Sequence, residues 1–287
     1  MSRIAYVNGR YVPHRDAAVH IEDRGYQFAD GVYEVIAVQG GRLVDEEPHL
    51  RRLERSLSEL KIKSAMAPKT LGCVMREVLR RNRIREGSIY VQMTRGVAPR
   101  DHPFPAKSET SVVITAKRMR AWPARTIEEG VRVITLPDNR WGRCDIKSIS
   151  LLPNVLAKQR AREAGAYEAW FVDSTGKVTE GSSTNAWIVT AGGKLVTRRA
   201  SHAILNGITR QSAIRLAKES GLALEERPFS VPEAKASREA FITSTTSEVL
   251  PVTEIDGNVI GNGKAGAFSR KLRKLYLAYA EGKGARG

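Results

Sequence analysis

Short apolar runs closed by tight-turn dipeptides alternate with amphipathic stretches along the whole chain. That alternation confines it to antiparallel hairpins packed with helices. The first signal is Asn8-Gly9, set between Ile4–Val7 and Arg10-Tyr11-Val12, a pair that accepts positive φ at both turn positions. Gly40-Gly41 joins a second pair of runs, 32–38 and 42–44. From Pro48 the spacing of Leu50, Leu53, Leu57 and Leu60 predicts a helix, and a second is predicted over 68–82. Two β-rich runs, 88–94 and 111–116, close this half.

Residues 119–129 carry Trp122-Pro123-Ala124-Arg125 and little periodicity. They are read as a linker between an N-terminal domain, 1–118, and a C-terminal domain, 130–287. The second half shows strand patterns near 131–135, 168–172, 177–180, 185–190 and 194–197. Helical patterns lie near 151–164, 208–220 and 265–281. Gly221 stands where a helix C-terminal cap belongs, and Asp256-Gly257 marks another hairpin. The expectation is two α+β domains with a ligand cleft between them.

Composition narrows the function classes. At 41% hydrophobic and 27% charged, the chain can bury a core and is not compositionally disordered. No apolar run reaches membrane-span length, and the first residues lack a signal-peptide stretch. Cys73 and Cys144 cannot build a disulfide framework, and the five histidines lack metal-binding spacing. A cytoplasmic protein without a bound metal is expected. The formal charge of +16 raises the question of nucleic acid. Its excess is spread over helical faces, as in Arg76, Arg80, Arg81 and Arg83 or Arg270, Lys271, Arg273 and Lys274, and the nucleic-acid-binding motif set is missing. Neither nucleic acid nor membrane is expected as a partner.

Four segments carry candidate chemistry. Lys147 lies among Ile146, Ile149, Leu151 and Leu152, where lost solvation would favour a neutral, nucleophilic amine; a lone lysine is otherwise a solvated surface group. Glu180 is delivered by a strand into the turn Gly181-Ser182-Ser183-Thr184, a segment that alone reads as a polar turn between strands. Gly207-Ile208-Thr209-Arg210 opens a helix, where backbone amides suit an anion and Thr209 could also be a plain N-cap. Thr243-Ser244-Thr245-Thr246-Ser247-Glu248 is a hydroxyl-rich turn after a strand. Together, a nucleophilic lysine, a carboxylate and two phosphate cradles are the parts a pyridoxal-phosphate site requires.

The chain also resembles the fold-type IV aminotransferases, and within them the D-amino-acid aminotransferases. The matching stretches are Glu22 to Phe28, Asp30-Gly31-Val32-Tyr33-Glu34-Val35, Thr94-Arg95-Gly96, Arg143 to Ser148, Asn154 to Gln159, Thr179 to Ser183, Gly207 to Arg210 and Thr243 to Glu248. The resemblance implies pyridoxal 5'-phosphate as cofactor, Lys147 as its Schiff-base lysine and Glu180 as partner of the pyridine nitrogen. It implies phosphate contacts from Arg52, Ile208, Thr209 and Thr245, a further cofactor contact from Ser183, and Leu205 packed on one ring face. Leu53 sets the register that selects Arg52 over Arg51. Tyr33, Arg100 and His102 match the trap for the substrate α-carboxylate, the last two reaching in from the neighbouring subunit of a homodimer. The implied reaction moves the amino group of a D-amino acid, with D-alanine expected, to a 2-oxo acid such as 2-oxoglutarate. Branched-chain L-aminotransferase, (R)-selective amine transaminase and 4-amino-4-deoxychorismate lyase share the fold and stay as alternatives. Ala29 and Pro153 stand where relatives often carry glycine.

Overall fold

A computed structural model describes residues 3–282. They form two units: the chain up to Arg120 together with Ile146–Ser150, and Ala121–Asp145 together with the chain from Leu151 onward. Both are α+β.

In the first unit the Asn8-Gly9 turn takes φ values of 44° and 92°, and it joins β1 (Ile4–Val7) to β2 (Arg10–Pro13) as the dipeptide predicts. With β3 (Gly31–Gln39), β4 (Arg42–Leu43), β5 (Gly87–Thr94) and β6 (Ser111–Arg118) they make a six-stranded antiparallel sheet in the order β2-β1-β6-β5-β3-β4. A five-residue helix, α1 (Arg24–Phe28), precedes β3. It is too short to show a period in sequence, and the Asp23 side chain caps it by accepting from the Gly25 amide. Next come α2 (Glu46–Glu59) and α3 (Pro68–Asn82).

Helix α3 spans the predicted range, whereas α2 begins two residues before Pro48. Proline is tolerated there because amides of the first turn lack a helical partner, and Glu46 and Glu47 suit the positive helix terminus. Leu53 and Leu57 of α2 and Leu71, Met75 and Val78 of α3 pack against Ile36, Ile89, Val91 and Ile114 of the sheet. Burying each such side chain is worth about 1.5–3 kcal/mol. Ile146 joins this core. The chain therefore returns to the first unit for five residues, a return that a division at residue 130 does not contain.

The second unit opens on α4 (Ala124–Glu129), so part of the stretch read as irregular is helical. Six residues ended by Gly130 at φ 67° give no periodicity to detect. The remaining elements are β7 (Val131–Pro137), α5 (Leu152–Glu163), β8 (Glu168–Val172), β9 (Val178–Gly181), β10 (Asn185–Val189), β11 (Leu195–Thr197), α6 (Ile208–Glu219), β12 (Leu224–Glu226), α7 (Val231–Lys235), β13 (Glu239–Ser244), β14 (Glu248–Ile255), β15 (Asn258–Val259) and α8 (Ala267–Ala280). Eight strands run β12-β11-β10-β13-β14-β7-β8-β9, with β15 paired to β14. The pairs β11/β12, β14/β7 and β7/β8 are parallel.

Strand β9 ends this order yet lies against β10 through the turn that joins them, so the sheet curls on itself. Strands β9 and β10 are buried along their whole length, which accounts for unbroken apolar runs such as Ala186 to Val189. Gly221, at φ 69°, follows Ser220, the C-cap of α6, where a glycine is predicted to close the helix. Among the described residues no helix is long and apolar enough to cross a membrane.

Candidate active site

In the first unit Lys147 sits in an irregular stretch laid along the start of β3. The Tyr33 amide donates to the Lys147 carbonyl at 3.0 Å, and the Ile149 amide donates to the Gly31 carbonyl at 3.0 Å. The Lys147 amide donates to Ser56 Oγ on α2 at 3.3 Å. Both backbone groups of the lysine are therefore fixed. Its Nζ lies over the Tyr33 ring, 4.1 Å from the centroid, and that ring stacks on Tyr90 at 5.6 Å. Of the apolar neighbours, Ile146 is buried while Leu152 is exposed.

Next to Tyr33, Glu34 is fully buried. Arg52 grips it with Nε on Oε1 at 2.7 Å and Nη2 on Oε2 at 2.8 Å, and His49 Nδ1 meets Oε2 at 2.7 Å. Burial alone would raise the Glu34 carboxyl; the Arg52 charge and hydrogen bonds, with the hydrogen bond from His49, outweigh it and hold Glu34 at about 2. Burial lowers His49, so the neutral ring carries its proton on Nδ1 and donates it to the carboxylate. Arg51 points outward to Glu47. Glu34 and His49 are partners of Arg52 that sequence reasoning missed. The signal was weak: a glutamate facing inward from an apolar strand needs a cation.

Arg100 and His102 lie exposed on the loop after β5 and gather on Phe28. The Arg100 guanidinium sits 4.7 Å from that ring and the His102 ring 5.5 Å. Buried Arg24 donates to the carbonyls of Asp101 at 2.6 Å and His102 at 3.2 Å, so it fixes the loop that carries them.

The second unit collects another set. Glu180, at the end of β9, accepts from the Leu205 amide at 3.1 Å, from Asn185 Nδ2 at 3.1 Å and from Arg140 Nη1 at 2.5 Å. Asn185 Nδ2 also donates to the Leu205 carbonyl at 2.9 Å, so the backbone of Leu205 is held from both sides. Burial pushes Glu180 up against the pull of Arg140, to about 7.

Helix α6 starts at buried Ile208 with Gly207 as N-cap and no capping side chain. Thr209 is therefore inside the first turn, and the plain-cap reading of it is overturned. The absence of a capping side chain leaves this helix end suited to an anion. A Cβ on Gly207 would fall 2.2 Å from Asn185 Oδ1, so the helix start lies against the Glu180 cluster. Register places Asn185 opposite Thr243, which sets the 244–247 turn at the same end of the sheet. That turn is tied down by Ser247 N to Ser244 Oγ at 3.0 Å, Tyr167 Oη to Ser247 Oγ at 2.9 Å and Trp122 Nε1 to the Thr246 carbonyl at 3.2 Å. Ser183 differs from its companions, because its hydroxyl donates to buried Glu168 at 2.8 Å.

Residues 31–255 match the family described as amino-transferase class IV. The chain belongs to this family. This class IV aminotransferase is 42% identical over 266 residues to D-alanine aminotransferase of Bacillus licheniformis, covering 93% of each chain. It is 39% identical over 277 residues to the Staphylococcus haemolyticus protein of that name, covering 96% of this chain and 97% of that one. Among solved structures it resembles the T.th. branched-chain amino acid aminotransferase with pyridoxamine 5'-phosphate, with a TM-score of 0.92 at 28% identity, covering 99% of this chain and 96% of that one. Its fold is that of the fold-type IV aminotransferases. Arg140 and Asn185, missed in the sequence, are the added members of its Glu180 cluster. Arg140 reaches Glu180 from 40 residues away through the fold, whereas Asn185 lies five residues beyond Glu180, across the turn that follows it.

Proposed function

We propose that this aminotransferase is a pyridoxal-phosphate enzyme that moves the amino group of D-amino acids, D-alanine first, to a 2-oxo acid such as 2-oxoglutarate. The observation that carries this reading is the 42% identity to a D-alanine aminotransferase over 93% of both chains. A cytoplasmic homodimer is part of the proposal, because Arg100 and His102 are assigned to the neighbouring subunit's substrate.

The donor set suits the cofactor. It offers an amine at Lys147, a buried carboxylate at Glu180 and an uncapped helix start at Ile208 and Thr209, with Thr245 in the neighbouring turn. When bound, pyridoxal phosphate supplies the electron sink and carries the amino group between the two substrates. Lys147 is assigned to hold it and to move the proton at the substrate Cα. Glu180 would meet the ring nitrogen, and Leu205, with its backbone clamped, would lie on one ring face. Ile208, Thr209, Thr245 and Arg52 are assigned to the phosphate, with Arg52 also neutralising Glu34. Ser183 is assigned to the cofactor from the resemblance, with its hydroxyl given to Glu168. Tyr33 and the planar fork of Arg100, with His102, are assigned to the substrate α-carboxylate.

The structural likeness to branched-chain amino acid aminotransferases favours one second reading, an L-branched-chain substrate. A purified, cofactor-loaded enzyme offered D-alanine, L-leucine and a simple (R)-amine with 2-oxoglutarate separates them. Turnover of D-alanine with L-leucine inert is expected. Good turnover of L-leucine with D-alanine inert would overturn the proposal.

A further inference from the structure

The Glu180 carboxylate shares its cation with a second acid. Arg140, between β7 and the Lys147 stretch in sequence, is almost wholly buried. Its Nε and Nη2 donate to Asp138 at 2.9 and 2.8 Å, while Nη1 donates to Glu180. Nη2 also reaches Thr179 Oγ1 at 3.2 Å and the Ala203 carbonyl at 3.1 Å. The Thr179 hydroxyl donates to Asp138 at 2.7 Å, and the guanidinium lies 4.5 Å from the centre of the Phe171 ring. The fork is thus rigid, and it gives two bonds to Asp138 and one to Glu180.

We infer that Arg140, steered by Asp138, sets the ionisation of Glu180 and through it the proton on the cofactor's ring nitrogen. It is a positioning residue that acts through the carboxylate, and its bearing on the cofactor rests on the proposed function. The charges support this. Two carboxylates face one guanidinium, so the buried trio carries one net negative charge when both acids are ionised. Of the other nearby groups, burial raises the Cys144 thiol to about 11, leaving it neutral, and Asp145 is paired with Arg143 at 3.0 Å. The remaining charge is balanced when the group facing Glu180 is a cation, as a protonated ring nitrogen is. Burial pushes Glu180 up and Arg140 pulls it back, so Glu180 sits near neutrality, where the arginine decides its state.

Asp138 and Arg140 therefore act on Glu180 with opposite signs, which a purely structural role would not produce. The test is isotope-edited infrared titration of the Glu180 carboxyl in the full-length, cofactor-free chain, with the band assigned by its loss in Glu180→Gln. Arg140→Met should make Glu180 titrate about one pH unit higher or more. Asp138→Asn should make it titrate lower, and Arg140→Lys should fall between native and Arg140→Met. Should Arg140→Met fail to fold, the downward displacement in Asp138→Asn still decides the matter. No displacement, or displacement of both variants in the same direction, overturns the inference. Uptake of pyridoxal phosphate by the native chain, read by visible absorption, tests the proposed function separately. A native chain that takes up no cofactor sinks that reading, while the infrared titration still decides whether Arg140 governs Glu180.

Discussion

Lys147 Nζ lies 4.1 Å from the centre of the Tyr33 ring, and the same tyrosine donates its backbone amide to the lysine carbonyl. Tyr33 thus fixes the lysine twice, once by backbone and once by ring face. Tyr33→Phe keeps both contacts and loses only the hydroxyl, whereas Tyr33→Leu also loses the cation–π contact, worth about 0.5–2 kcal/mol. On the proposed roles, Tyr33→Phe should raise KM for the amino donor with kcat nearly kept. Tyr33→Leu should lower kcat as well, by roughly tenfold. Steady-state kinetics of the two variants side by side check this.

Arg52→Met should strand the buried Glu34 carboxylate and cost about 3–5 kcal/mol of stability. Adding Glu34→Gln should return a large part of that loss. The pH sign follows from Glu34 being held at about 2, below its ordinary value of 4.5. Its contribution is complete above about 4.5 and fades as pH falls toward 2. Urea unfolding at pH 7 and pH 3 reads both effects.

Glu180 has the reverse sign. Held near 7 rather than 4.5, it favours folding most below 4.5, and that advantage is lost as pH rises through 7. Glu180→Gln cannot ionise, so its stability relative to the native chain should improve by roughly 3 kcal/mol between pH 4 and pH 8. Melting curves of the cofactor-free proteins across that range provide the check. A constant difference would show that burial does not raise Glu180.

Ala29 closes α1 at φ 55°, a left-handed conformation that costs an alanine about 1–2 kcal/mol. Ala29→Gly should remove that strain and, after the extra chain entropy of glycine, stabilise the protein by about 0.5–1 kcal/mol. Thermal unfolding should show a small rise in Tm with activity unchanged.

Gly207→Ala would push a methyl group into Asn185 Oδ1, which lies only 2.2 Å from the new Cβ. Because Asn185 is buried and holds both Glu180 and Leu205, the expected result is cofactor affinity lowered by roughly tenfold or more, together with a stability loss of about 1–3 kcal/mol. Equilibrium titration of the cofactor-free variant with pyridoxal phosphate measures it.

Local chemistry made much of the fold legible. Asn8-Gly9, Asp256-Gly257 and the leucine spacing of α2 each act within a few residues, so the chain states them directly. Short elements such as α1 and α4 escaped, because five or six residues carry no measurable period. Lys147 and Glu180 are singled out by the resemblance, since their own segments alone read as a surface lysine and a polar turn. Arg140, Asn185, Glu34 and His49 are not, since their roles depend on partners up to 40 residues away. The return of Ile146–Ser150 to the first unit was equally hidden, for no local pattern marks it.

That return limits how the gene can be divided. A fragment ending at Arg120 would lose Ile146 from its core and the backbone partners of Gly31 and Tyr33. Early β3 would then present a bare edge opposite its pairing with β5, a ready template for intermolecular strand addition. A recombination point at the apparent boundary would thus yield a sticky product. A module intended to stand alone would need 146–150 grafted back as a closing strap.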